Sequence, residues 1–150
     1  MKKFEKISLM LLENKFGVLA TIGLEYPYTS LLAFISNDDF KEIYFATDKR
    51  TSKYNNIIKN PNVSFLVYDL GKKPIKDGKS LTALGKVVEI KEYKKSKEIR
   101  QYVKRHPELK NFINNSDCSF MKISVYKYIF VDNFHRVEEF ILSEPLKPDS

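Results

Sequence analysis

From Val63 to Tyr68 the chain reads VSFLVY, a nearly continuous apolar run between the breakers Asn60-Pro61-Asn62 and Gly71. So short an apolar run between such breakers reads as a strand, and its lack of strict alternation predicts burial on both faces. A strand of that kind needs a partner on each side and a cover above and below. The chain is thereby committed to a sheet with elements packed against it.

Other stretches supply the partners. Phe16–Leu24 and Tyr28–Ser36 are β-rich, and Glu25-Tyr26-Pro27 between them reads as a turn, which predicts a hairpin. Asn37-Asp38-Asp39 returns the chain into Glu42–Thr47. Ser80–Lys91 is long for one strand, and Gly85 in its middle predicts a bulge or a close backbone approach. Two last strands, Ser119–Val125 and Lys127–Asp132, are expected from the β-branched and aromatic residues of FMKISVYKYIFV.

Helical spacing appears in between. Lys2–Asn14 sets Phe4, Ile7, Leu11 and Leu12 among charged positions, and Glu92–Arg105 sets Tyr93, Ile99, Tyr102 and Val103 opposite a lysine-rich, solvated face. A short helix follows Glu42–Thr47, with Thr51 as its N-cap and Asn60-Pro61 as its stop. A polar loop, Gly71–Lys79, and a short helical piece, Pro107–Asn114, complete the order. About six or seven mainly antiparallel strands with flanking helices make an α+β domain, mostly β, closed as a barrel or sheet. The domain is expected over residues 1–142, with a flexible tail at 143–150 that holds two prolines.

Composition excludes several classes. The chain of 150 residues is 43% hydrophobic and 13% aromatic, enough for one packed core. Its start is charged and Ile7–Leu12 is too short for a signal core or a membrane span, so a cytoplasmic protein is expected. Cys118 stands alone, which leaves no internal disulfide and no metal-ligand spacing. A net charge of +7 and a pI near 9.3 suit either a nucleic-acid binder or a lysine-rich surface with one local anion site. Because 19 acidic residues interleave with 26 basic ones, the second is expected, with no nucleic-acid partner.

The anion site is Tyr44–Pro61, YFATDKRTSKYNNIIKNP: a strand, a basic turn and a helix start. Free N–H groups at the helix start and the cations Lys49, Arg50 and Lys53 form a phosphate cradle. No nucleophile elbow, metalloprotease helix or Gly-rich nucleotide loop accompanies it. His106, before a proline at a helix end, reads as structural or exposed, while His135 is a weaker candidate for a place beside a ligand. A phosphate site without a catalytic set fits a protein whose chemistry comes from a cofactor.

The succession Thr47, Asp48-Lys49-Arg50, Thr51, Ser52, Lys53, Asn56-Ile57 and Asn60-Pro61 resembles that of the pyridoxamine 5′-phosphate oxidase-like flavoproteins. GVLATIGLEYPYTSLLAF upstream and ALGKVVEI and YIFVDNF downstream extend the resemblance over about residues 10–134. It implies an FMN-binding split barrel and a homodimer with the cofactor in the cleft between subunits. By position, Thr51, Ser52 and Lys53 would hold the phosphate, and Ser30, Leu31, Leu32, Ala33, Ala46 and Thr47 would flank the ring. Ser80 and Thr82 would come from the partner subunit. Many relatives carry arginine where Ser52 stands, so either Lys49 or Arg50 meets part of the phosphate charge or the cofactor is held less tightly. The resemblance further implies an oxidoreductase passing electrons from a reduced nicotinamide to a small-molecule substrate. F420 in place of FMN, and a non-catalytic flavin- or haem-binding protein to which His135 would bear, are the alternatives. The C-terminal Arg-x-His signature of true pyridoxamine phosphate oxidases is absent, so that activity is not expected.

Overall fold

A computed structural model describes residues 2–142; the tail expected at 143–150 lies outside the described residues. In chain order the elements are α1 (Lys3–Glu13), β1 (Phe16–Ile22), β2 (Pro27–Ala33), β3 (Ile35–Ser36), β4 (Glu42–Asp48), α2 (Ser52–Lys59), β5 (Asn62–Asp69) and α3 (Pro74–Asp77). After them come β6 (Lys79–Ile90), α4 (Lys97–Arg105), α5 (Lys110–Ile113), β7 (Cys118–Asp132) and β8 (Arg136–Ile141).

All eight strands share one sheet in the order β2-β1-β5-β6-β7-β4-β3, with β8 beside β7, and all pairings are antiparallel. β2 and β3 stand at opposite ends of that path, yet only Phe34 separates them in the chain. The sheet must therefore curl until its two edges adjoin, and the result is a split barrel. Phe34 is fully buried at the join, and its N–H donates to Lys15 O at 3.3 Å. The expected strand Tyr28–Ser36 is thus two strands on two edges, broken where the chain crosses the seam.

The other end of the chain corrects the opposite way. Ser119–Val125 and Lys127–Asp132 belong to one 15-residue strand, β7. Its ladder with β6 slips by one residue at Leu84/Gly85, so Tyr126 is left unpaired as a bulge. A Cβ on Gly85 would run into Ser124 O there, so both expectations for that glycine hold at once. β8 was not expected: in RVEEFI only Phe140 is buried, too weak a pattern to read. The segment expected as one helix from Glu92 is a 3-10 turn, Tyr93–Lys95, and then α4, because Ser96 caps a fresh helix by accepting from Ile99 N at 3.1 Å. The polar loop after Gly71 contains the single helical turn α3.

Two cores lie on the two faces of the sheet. Leu19, Phe34, Phe45, Phe65, Leu81, Met121 and Tyr128 fill the barrel, plugged by Ile7, Met10 and Leu11 of α1. Outside, Tyr44, Ala46 and Phe120 pack against Tyr93, Ile99, Tyr102 and Ile113 of the α4–α5 layer. β5 departs from the sequence reading. Val63, Phe65 and Val67 face the interior, but Ser64 and Leu66 are only half-buried and Tyr68 is exposed, because no helix covers this part of the outer face. Among the described residues no helix is long and apolar enough to cross a membrane.

Candidate functional site

Where the α4–α5 cover stops, the outer face of the sheet opens into a cavity of about 540 Å³. Its floor is the ends of β2 and β4: Leu31, Leu32 and Ala33 from one, Ala46, Thr47 and Asp48 from the other. Tyr102 holds these strand ends together across the seam. Its hydroxyl donates to Ala33 O at 3.0 Å and accepts from Ala46 N at 3.3 Å. A bond to each edge from one buried side chain fixes their separation, and with it the width of the cavity.

The rim is the turn into α2. Thr51 is its N-cap as expected: the hydroxyl donates to Asp48 O at 2.7 Å and accepts from Tyr54 N at 3.3 Å. Its single proton is therefore spent inside the protein. The backbone N–H groups of Ser52 and Lys53, in the first turn, have no acceptor within the helix and stay available to an anion.

The three cations of this turn differ in what they can do. Arg50 chelates Asp48, with Nη2–Oδ2 at 2.7 Å and Nε–Oδ1 at 3.0 Å, and approaches Asp117 at 3.6 Å. Those bonds hold the Asp48 carboxyl down at about 2. Neither Arg50 nor Lys49 lines the cavity, and both are exposed. Lys53 does line it, forms no ion pair among the described residues, and burial lowers its ammonium below the ordinary lysine value. An unpaired, partly desolvated cation calls for an anion. Of the three cations of the turn, Lys53 alone lines the cavity, while Arg50 is engaged in holding the turn.

A second unsatisfied group lies beneath the floor. Thr47 is 2% exposed, its Oγ1 has no partner among the described residues, and it lines the cavity. Thr47 shares its side of β4 with Phe45 and opposes Ala46, so this hydroxyl is sealed on the barrel side of the floor.

Seven of the residues singled out from the sequence are brought together here: Leu31, Leu32, Ala33, Ala46, Thr47, Thr51 and Lys53. Ser30 shares the inner side of the sheet with Leu19; its Oγ is buried and unpartnered but does not reach this cavity. Ser52, Lys49 and Arg50 stay on the exposed rim. Ser80 and Thr82 lie on the outer face of β6, half-buried and outside the cavity.

The opposite wall was not legible. Phe16, Tyr102, His106, Leu109 and Phe112 close the cavity from the α1–β1 junction and the α4–α5 layer. The available signal was the apolar stripe Tyr102, His106, Leu109 and Phe112, whose spacing of three to four residues reads simply as a core-facing helix side. His135 sits exposed in the β7–β8 turn and takes no part. No cluster of metal-ligating side chains occurs among the described residues.

Comparison with known proteins agrees with this geometry. The family model for pyridoxamine 5′-phosphate oxidase matches residues 4–132. The chain belongs to that family. Solved structures similar to this pyridoxamine 5′-phosphate oxidase-family chain include a haem-binding protein from Mycobacterium smegmatis, with a TM-score of 0.83 at 15% identity over 94% of this chain and 58% of that one. General Stress Protein 26 from Bacillus anthracis superposes with a TM-score of 0.69 at 22% identity, over 95% of this chain and all of the other. A FAD-binding protein from Mesorhizobium loti gives 0.63 at 19% identity, over 87% and 94% of the two chains. These likenesses establish the split-barrel fold. The chain spans less than two thirds of the length of the mycobacterial protein. No curated protein matches the sequence.

Proposed function

We propose that this protein is a cytoplasmic FMN-binding flavoprotein, a homodimer that passes electrons from a reduced nicotinamide to a small acceptor. The observation that carries the reading is an unpaired, half-buried cation, Lys53, on an apolar cavity beside the free N–H groups at the start of α2. The cavity volume of about 540 Å³ is of the size that holds a cofactor-like ligand. In this reading Lys53 and the N–H groups at the start of α2 hold the phosphate, while Leu31–Ala33, Ala46 and Thr47 flank the ring. Bound FMN would supply the redox chemistry, and the chain supplies binding, orientation and exclusion of water.

The homodimer is proposed from the uncovered half of the sheet. Strand registers align Leu31, Val18, Leu66, Thr82 and Ile129 in one row on the outer face. Leu31 is 71% exposed and the others are half-buried, and the row begins at the cavity. A second copy seated on this row would close the cavity from outside and bring Ser80 and Thr82 toward it.

Titration with FMN, followed by quenching of flavin fluorescence, tests the reading. Saturable one-per-chain binding is expected, and a protein that leaves the fluorescence unchanged would overturn it. Haem is the second reading because a haem-binding protein shares the fold and His106 stands on the cavity wall. A Soret band on haemin titration in place of flavin binding would favour it.

A further inference from the structure

The wall contributed by α4 carries one polar group that the fold does not use up. His106 is 4% exposed and lines the cavity. Its Nε2 lies 2.9 Å from Phe34 O. A carbonyl only accepts, so Nε2 must carry the proton, and the neutral ring is left with Nδ1 as a bare acceptor. Nδ1 has no hydrogen-bond partner among the described residues, on a ring that lines the cavity. The Phe34 bond anchors the imidazole, and the rings of Tyr102, 5.1 Å away, and Phe16, 6.0 Å away, flank it.

We propose that His106 is a specificity-determining residue of this cavity, whose Nδ1 accepts a hydrogen bond from an N–H on a planar heteroaromatic ligand. The inference rests on the flavin reading above, since the oxidised flavin ring carries one such N–H beside its carbonyls. It adds that the α4 wall, and not only the β2 and β4 floor, reads the ring.

The acceptor is available only while the imidazole is neutral. Burial lowers the His106 pKa, Arg105 and Lys15 push the same way, and Glu108 and the Phe34 bond oppose them. Asp48, Lys53 and Glu108 also line the cavity, and Asp48, held at about 2, keeps its charge through the pH range in question. As pH falls through the histidine range, Nδ1 gains a proton, the acceptor becomes a donor, and the ligand N–H is repelled. Affinity conferred by His106 is therefore present at neutral pH and lost in acid, and burial moves that loss below the ordinary histidine range.

The test is FMN affinity from about pH 5.5 to about pH 8 for the wild type, His106→Leu and His106→Gln. The FMN phosphate titrates near ~6 in all three, so the difference between profiles isolates the residue. At pH 7.5 His106→Leu should bind about tenfold more weakly, the loss of one buried hydrogen bond. His106→Gln, whose amide N–H can serve Phe34 O while its carbonyl stands in for Nδ1, should restore most of the affinity and have a flatter profile than the wild type. Equal affinities with parallel profiles for all three proteins would overturn the proposal while leaving the flavin reading standing. A wild type that binds no FMN at any pH overturns both. Should His106→Leu fail to fold, a His106→Gln profile parallel to that of the wild type overturns the proposal by itself.

Discussion

The outer face of the barrel has two halves built from similar strands and finished differently. On β4 and β7, the outward residues Tyr44, Ala46 and Phe120 are sealed under α4 and α5. On β1, β5 and β6, the outward residues Val18, Leu66 and Thr82 are only half-buried, with no helix over them among the described residues. Both halves alternate apolar inward residues with outward ones, so strand chemistry alone does not distinguish them. What differs is the connection: the 27 residues between β6 and β7 form a helical layer that returns over one half only. The cavity sits at the boundary between the two, where one wall is a side chain of the cover and the other is bare sheet.

Large-to-small substitutions should expose that asymmetry most strongly. Tyr102 is 1% exposed, and its loss removes a packed ring and both bonds that tie the β2 and β4 ends. Tyr102→Ala is expected to cost ~3–5 kcal/mol in urea unfolding, whereas Leu66→Ala on the bare half should cost the isolated subunit under ~1 kcal/mol. Equal costs would mean that the two halves are not finished differently in energy. Leu66→Glu sharpens the same point in another observable. Placing a charge at the centre of the proposed contact should convert a dimer to a monomer by light scattering, with an unchanged circular dichroism spectrum. A mass that does not change would remove this face from the interface.

The covered half also shows where sequence reading stops. Most of the strand segments, their turns and the α2 cap were legible because each depends on residues adjacent in the chain: alternation, Pro27, Gly85, and Thr51 three residues before Tyr54. The seam at Phe34 was not, since it depends on β2 and β3 joining opposite sheet edges, a closure that no local pattern encodes. The site divided along the same line. Leu31–Ala33, Ala46, Thr47, Thr51 and Lys53 came from the strand-turn-helix pattern and its family resemblance. Tyr102, His106, Leu109 and Phe112 reach the cavity only through packing across more than fifty residues of chain, and in sequence they look like any buried helix face. Charge was the most misleading signal. Arg50 and Lys53 read alike in the sequence, and only the Asp48 chelate, invisible without the turn geometry, separates them.

That separation gives the next prediction. Lys53→Met should weaken FMN binding by ~1.5–3 kcal/mol, the range for a hydrogen bond to a charged group, with little change in stability. Arg50→Met should cost less than half as much, because the guanidinium is 71% exposed and already paired. A larger loss at Arg50 would reverse the assignment and move the phosphate to the outer rim.

The smallest effect concerns the turn itself. Arg50 holds the Asp48 carboxyl at about 2, below the ordinary aspartate range near ~3.9. A carboxyl depressed by folding contributes stability that is fully present above its unfolded value and disappears as pH falls through the folded one. The turn from Asp48 to Thr51 should therefore keep its shape to about pH 4 and loosen between there and about pH 2, visible as faster exchange of the Arg50 Nε–H by NMR. In Asp48→Asn that exchange should be fast at every pH, while FMN affinity at pH 7.5 changes little, since Lys53 and the α2 N–H groups do not depend on the chelate. If Asp48→Asn instead abolishes binding, the Arg50–Asp48 pair does more than brace the turn, and the covered and bare sides of the cavity would have to be joined through it.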